Sequence, residues 1–295
     1  MNLSDYLEDK RKTIDSFLKD YIAGKKKQKD CPRQLSEAMG YSLMAGGKRV
    51  RPVLCIAAYE AAGGKSDGIL PVAASLELVH TYSLIHDDLP AMDNDDFRRN
   101  KPTNHKVFGE ALAILAGDAL LTDAFNLISN TNANPARLLQ VIRELAHAGG
   151  PEGMVGGQTA DIILEGKKAK KKDIVYIHTH KTGALIRGAV RTGAIMAGPA
   201  PDKLGSLTEY GEKTGLAFQI IDDILDITGT KEEMGKSTGA DTARGKNTYP
   251  SALGLKKSEK IAEQLIHESL NALKEFSAKA DPLREIAKYI LLRRN

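Results

Sequence analysis

Tyr82-Ser-Leu-Ile-His-Asp-Asp-Leu-Pro-Ala-Met-Asp-Asn-Asp-Asp-Phe-Arg-Arg99 carries five carboxylates, Asp87, Asp88, Asp93, Asp95 and Asp96, and two guanidiniums, Arg98 and Arg99, within thirteen residues. A mostly apolar segment precedes it, so the acids gather at the end of a half-buried helix. Carboxylates crowded there repel one another, increasingly as water is excluded, unless cations neutralise them. Oxygen-only donors select hard cations, and Mg²⁺ takes one or two carboxylates together with waters and substrate phosphates. The paired arginines supply a planar fork that grips such phosphates. Asp87 and Asp93 would lie about 120° apart on a continuous helix. Pro90, however, removes a backbone donor and disfavours helical geometry at Leu89. The sequence therefore predicts a helix whose last turn holds Asp87 and Asp88, with Asp93 folding back from an irregular extension.

Phe218-Gln-Ile-Ile-Asp-Asp-Ile-Leu-Asp226 repeats the pattern, an apolar run followed by Asp222, Asp223 and Asp226. At about 100° per residue these three share one helical face and can converge on one site. Helical periodicity dominates the chain and alternating strand patterns are scarce, so the expected fold class is all-α. Pro52, Pro71, Pro135, Pro250 and Pro282 stand where helices begin.

Residues 3–23 read as an amphipathic helix, and Lys25-Lys-Lys-Gln-Lys29 as a solvated connector rather than an anion site. Residues 33–45 give the next helix, ending at Gly46-Gly47. Lys48, Arg49 and Arg51 then crowd a helix start at Pro52, where free N–H groups and the helix dipole favour a diphosphate. His80, just before the first acidic cluster, is given a phosphate contact because its neighbours already call for one. Residues 109–130 read as a buried helix, Gly117 allowing close packing and Asp118 being a satisfied core carboxylate. Gln158 and Asp161 share a face and suit a supporting role behind a site. The basic loop Lys167-Lys-Ala-Lys-Lys-Lys172 reads as surface.

His178 and His180 point to different faces of a helix and make a poor metal pair, so neither is assigned a function. Gly183, next to Lys181 and Thr182, loosens the helix and can free a backbone carbonyl. From Thr228 to Tyr249, Gly229, Gly235, Gly239 and Gly245 are spaced among Lys231, Lys236, Arg244 and Lys246. A basic, glycine-spaced segment beside a phosphate-seeking acidic site reads as a lid. Two amphipathic helices complete the chain, and no composition shift marks a second domain, leaving a single domain over residues 1–295.

Composition narrows the function classes. Hydrophobic residues make up 42% and charged residues 27% of the chain, as in ordinary globular proteins. The net charge of +4, aromatics at 5% and the absence of Trp argue against a nucleic-acid partner. Cys31 and Cys55 are too few for a disulfide framework or a zinc site and suit a reducing compartment. The charged N-terminus does not read as a signal peptide, and no run approaches about 18 uncharged apolar residues. The expected location is the cytoplasm, away from any membrane.

The two aspartate clusters, with Gly46-Gly-Lys-Arg-Val-Arg-Pro52, Gly156-Gly-Gln158, Lys181-Thr-Gly183 and Gly235-Lys236, resemble the trans-isoprenyl diphosphate synthases, and within them the bacterial farnesyl diphosphate synthases. The resemblance spans residues 35 to 250 in the expected order. It implies a prenyltransferase built as one large helical domain around a deep central cavity, usually a homodimer. It implies that Asp87, Asp93 and Asp222 hold Mg²⁺, or Mn²⁺ in its place, with Asp88, Asp223 and Asp226 supporting them. Arg98, Lys181, Lys236 and Lys246 would contact the allylic diphosphate, and Lys48, Arg51, His80 and Arg99 that of isopentenyl diphosphate. Thr182 and Gln219 would lie beside the developing allylic cation. The allylic partners would be dimethylallyl and geranyl diphosphate. Tyr82, with Ser83, would floor the cavity, since Tyr82 lies about 7.5 Å of helix rise below the metal site. In the family, such an aromatic, with two extra residues between Asp88 and Asp93, resembles the C15 type.

Asn100 stands where glycine is common after the paired arginines, and Arg293-Arg-Asn295 receives no role. A geranylgeranyl diphosphate synthase is the alternative. A terpene cyclase normally carries one such aspartate motif and a different second metal motif, and a non-catalytic partner subunit would have lost one cluster. A calcium loop starting at Asp93 would need Gly at Arg98 and Glu at Asn104.

Overall fold

A computed structural model describes residues 2–167, 169–228 and 246–292. Gly235 and Lys236, nearly all of the segment read as a lid, and Arg293-Arg-Asn295 lie outside these residues. Among the described residues the chain is all-α apart from one antiparallel pair of two-residue strands, Phe97–Arg98 with Lys101–Pro102. It forms two compact units, one of Asn2–Ile56 with Ser66–Ile142, the other of Ala57–Lys65 with Arg143–Asn295. Two of the three boundaries fall inside helices α3 (Val50–Ala61) and α7 (Pro135–Gly149), so the sequence shows no linker there.

In the first unit, α1 (Leu3–Lys27) starts at Asn2, whose side chain accepts the Ser4 N–H. Lys25, Lys26 and Lys27 finish this helix instead of forming the connector read from the sequence. Cations suit the negative end of the helix dipole, and Lys25 pairs with Asp123 at 2.5 Å. Helix α2 (Arg33–Leu43) ends two residues before the predicted 33–45 boundary. Helix α4 (Leu70–Asp87) buries residues on every side, from Val72 to Ile85, because its neighbours enclose it.

Helix α4 packs along α6 (Glu110–Ser129), with Gly117 of α6 lying against His86. The expectation that α6 is buried fails on one face: Ile114 is 44% and Leu115 55% exposed. Asp118 is a surface carboxylate rather than a core one, with its side chain 59% exposed. The segments Asp67–Asp87 and Glu110–Ser129 are long and apolar enough by composition to cross a membrane, contrary to the sequence count, which admitted no charge. Most of the former is buried against protein, as a core helix would be.

In the second unit, α8 (Met154–Leu164), α9 (Lys171–Ile177), a π-helical turn His178–Gly183 and α10 (Ala184–Ala197) lead into α11 (Pro201–Thr228). After the undescribed segment come α12 (Tyr249–Leu253), α13 (Leu255–Ala272) and α14 (Asp281–Leu292). Helix α11 packs on α10 and α13, and the π-turn rests on α8 and α11. Leu207, Ile220, Ile221 and Ile224 of α11 are buried, each contributing about 2 kcal/mol of transfer free energy. Gly157 of α8 lies where a Cβ would strike the Lys181 backbone, so only glycine lets α8 meet the π-turn.

Candidate active site

In the first unit the acidic stretch is arranged as its residues predict. Helix α4 ends at Asp87 with Asp88 as its C-cap, and the Asp93 N–H donates to the Asp87 carbonyl at 2.8 Å. That bond turns the chain back over the helix end. Asp88 is buried, its Oδ1 accepts from Arg98 Nε at 2.7 Å, and the same oxygen lies 2.6 Å from Nη2 in an ion pair. Burial works against the Arg98 charge, but Asp88 and Asp95 outweigh it and hold its pKa above the ordinary value. Arg98 is therefore braced by the acids in this state.

Arg99 and Asn100 both take positive φ, 52° and 59°, as the two-residue turn of the hairpin demands. Asn tolerates that conformation, whereas Arg99 is strained there and is held by donating to the Gly46 carbonyl. Gly47, at φ +128°, has the Arg99 guanidinium 2.7 Å from where its Cβ would stand. The two basic motifs, 53 residues apart, thus meet.

Arg49, grouped with Lys48 and Arg51 from the sequence, is a correction. It turns inward to Glu77 Oε1 at 2.6 Å, Asp15 Oδ1 at 2.8 Å and the Leu43 carbonyl at 2.8 Å. Its φ of +50° sends the side chain away from its neighbours, so it fastens the loop and faces no phosphate. Arg51 keeps a buried Nε without a partner. Burial pushes its pKa down to about 10, with Glu77 opposing and Arg99 adding to the fall. Burial and the charges of Arg51, Arg99, Arg98 and Arg49 hold His80 well below the usual imidazole range. Cations crowded so closely, one of them unsatisfied, ask for an anion. Lys48 is exposed beside them. Tyr82 is buried on α4, its ring edge-on to His86 at 5.8 Å, and burial pushes its phenol up to about 12, so it stays protonated.

In the second unit, Asp161, His178, Lys181, Thr182, Gln219, Asp223 and Lys246 line a cavity of about 80 Å³. Lys181 Nζ pairs with Asp161 Oδ2 at 2.6 Å, so the carboxylate holds the lysine at the cavity wall. Thr182 Oγ1 donates to Gln219 Oε1 at 2.8 Å, and Gln219 Nε2 donates to Asp223 Oδ1 at 3.0 Å. Asp223 Oδ2 accepts from the Tyr249 N–H at 2.9 Å and lies 2.6 Å from His178 Nε2. Asp223 and Asp226 are buried, while Asp222 is more open.

His178 and the Tyr249 N–H are partners the sequence reading missed. Their separation from Asp223 along the chain hides the contacts, and the π-turn changes the faces that α-helical spacing predicts. No group of three His, Cys, Asp or Glu side chains among the described residues is spaced to hold a metal by itself. The carboxylates at the end of α4 offer oxygen donors alone, which fits Mg²⁺, whose shell water and substrate phosphate complete, and does not fit a closed zinc site.

Basic groups collected for an anion beside an aspartate-ended helix, and an acidic helix facing a Lys-Thr-Gln cavity, define a class of all-α enzymes that handle diphosphates. The chain belongs to the polyprenyl synthetase family, whose model matches residues 32–290. It is 48% identical over 258 residues to the farnesyl diphosphate synthase of Geobacillus stearothermophilus, covering 86% of each chain. It is 47% identical over 297 residues to the geranylgeranyl diphosphate synthase of Cyanophora paradoxa, covering 100% of this chain and 97% of that one. The crystal structure of an FPP/GFPP synthase from Zymomonas mobilis superposes with a TM-score of 0.87 at 38% identity, covering 98% and 99% of the two chains. The family's trans-isoprenyl diphosphate synthases are prenyltransferases acting on isopentenyl and allylic diphosphates.

Proposed function

We propose that this prenyltransferase joins isopentenyl diphosphate head to tail (1'-4) with dimethylallyl and then geranyl diphosphate, giving (2E,6E)-farnesyl diphosphate. The observation that carries the C15 reading is the buried Tyr82 ring on α4, five residues before Asp87. With Ser83 it would close the path of a growing chain. A C20 product is the second reading, favoured by the likeness to the Cyanophora geranylgeranyl diphosphate synthase.

Ionisation of the allylic C–O bond leaves a carbocation and a diphosphate. Asp87, Asp93 and Asp222 would hold Mg²⁺, or Mn²⁺ in its place, with Asp88, Asp223 and Asp226 supporting; the ion would neutralise charge on the leaving group. Arg98, Lys181, Lys236 and Lys246 would grip the same diphosphate, adding fixed positive charge where negative charge develops. Lys48, Arg51, His80 and Arg99 would hold isopentenyl diphosphate, whose double bond attacks the cation and forms the new C–C bond. The released diphosphate takes the proton lost from the adjacent carbon. Thr182 and Gln219 would turn oxygens toward the cation, and exclusion of water would protect it from capture.

The same reading makes the enzyme a cytoplasmic homodimer. A chain with two cysteines, too few for a disulfide framework, supports a reducing compartment. The apolar Ile114 and Leu115 on α6 support a self-pairing face, and Ile114→Lys with Leu115→Glu is expected to give monomers by light scattering. The main test supplies the purified protein with Mg²⁺, isopentenyl diphosphate and either dimethylallyl or geranyl diphosphate and measures product length. Farnesyl diphosphate from both starters is expected, and a C20 product would overturn the floor.

A further inference from the structure

We propose that His178 is a positioning residue for the cation site, fixing through Asp223 which end of the Gln219 amide faces Thr182; the role rests on the prenyl-transfer reading above. The Asp223 carboxylate accepts the Tyr249 N–H through Oδ2 and the Gln219 NH₂ through Oδ1. Gln219 must therefore turn its NH₂ to Asp223 Oδ1, which leaves its Oε1 for the Thr182 hydroxyl proton. Thr182, its proton committed, then offers lone pairs alone. An electron-poor allylic carbon is stabilised by such oxygens and destabilised by N–H groups. A flipped Gln219 would present the NH₂ instead.

His178 holds this arrangement from behind. It is 4% exposed, its Nε2 lies 2.6 Å from Asp223 Oδ2, and the Tyr249 ring packs against it with centroids 5.2 Å apart. Its Nδ1 is buried without a partner, which leaves Nε2 as the ring nitrogen that serves Asp223 as a donor. With the Tyr249 N–H and Gln219, His178 brings Asp223 to three donors. That set uses most of the acceptor positions of the carboxylate and makes Asp223 a strut. The π-turn has a direct part in this. His178 opens the turn that also carries Lys181 and Thr182, so both ends of the hydrogen-bonded chain hang from one six-residue segment.

The test compares His178→Phe, which keeps a ring but loses the donor, with His178→Gln, which keeps a donor. His178→Phe is expected to lower kcat roughly 10- to 100-fold, with KM for both diphosphates within about twofold of the wild type. His178→Gln is expected to restore most of the loss. In a Gln219→Leu background, His178→Phe should change kcat by less than about twofold, because the two act as one unit. Independently of turnover, the ligand-free protein should show by NMR an imidazole Nε2–H protected from exchange. Retained kcat in His178→Phe, losses that multiply in the double variant, or a rapidly exchanging N–H would each overturn the proposal. Failure of both His178 variants to fold would make the residue a packing group and overturn it too. A wild type inactive on prenyl diphosphates that still shows the protected N–H would instead sink the prenyl-transfer reading.

Discussion

Arg49 and Arg51 sit two positions apart in one basic run and do opposite work. Arg49 is engaged through all three nitrogens by Glu77, Asp15 and a carbonyl, whereas Arg51 keeps a buried donor unpartnered. Removing one member of a buried ion pair strands the other, at a cost of about 3–5 kcal/mol. Arg49→Met should therefore lower the melting temperature markedly, as read by circular dichroism, and raise the KM for isopentenyl diphosphate through the loosened loop. His80 carries a pH consequence. Its folded pKa lies below the ordinary 6.5, so as pH falls through that value the unfolded chain takes up a proton that the folded chain refuses. Stability then falls with falling pH, by up to about 1.4 kcal/mol per unit. Denaturant titrations between pH 7 and pH 5 should show this slope, and His80→Gln should flatten it. Position in the sequence could flag these groups as basic, but the direction of Arg49 follows from a left-handed backbone and partners on α1 and α4.

The elements α4 and α11 share one plan, an apolar helix ending in aspartates, and the apolar periodicity made both legible. Their neighbours were less so. The exposed face of α6 reads as core by composition, because an apolar face buried by protein and one left open have the same sequence. The π-turn hid the His178 contact, since helical spacing in the sequence assumes 3.6 residues per turn. Tyr82 belongs to this scale: it is placed by the rise of α4 below Asp87. Tyr82→Ala should open the floor and shift the product from C15 to C20 in a chain-length assay, with loss of the buried ring lowering stability by about 3 kcal/mol. Unchanged length would leave the ring as packing.

At the scale of the molecule, the proposal needs a divalent cation to hold carboxylates and diphosphate together. EDTA is expected to abolish product formation while leaving the circular dichroism spectrum in place, because the described helices are held by apolar packing. Addition of Mg²⁺ should restore turnover; activity persisting in EDTA would remove the metal from the mechanism.

The amino-acid sequence by itself determined that the chain is helical, where its two acidic helix ends lie, and that a phosphate-binding chemistry accompanies them. Those are local matters, set by periodicity, proline positions and runs of like charge. Tertiary structure alone decided that Arg49 is buried in an ion network, that Arg99 reaches Gly46, and that His178 stands behind Asp223. Each depends on groups tens of residues apart meeting in space, and on backbone conformations, a left-handed residue or a π-turn, that side-chain type does not specify.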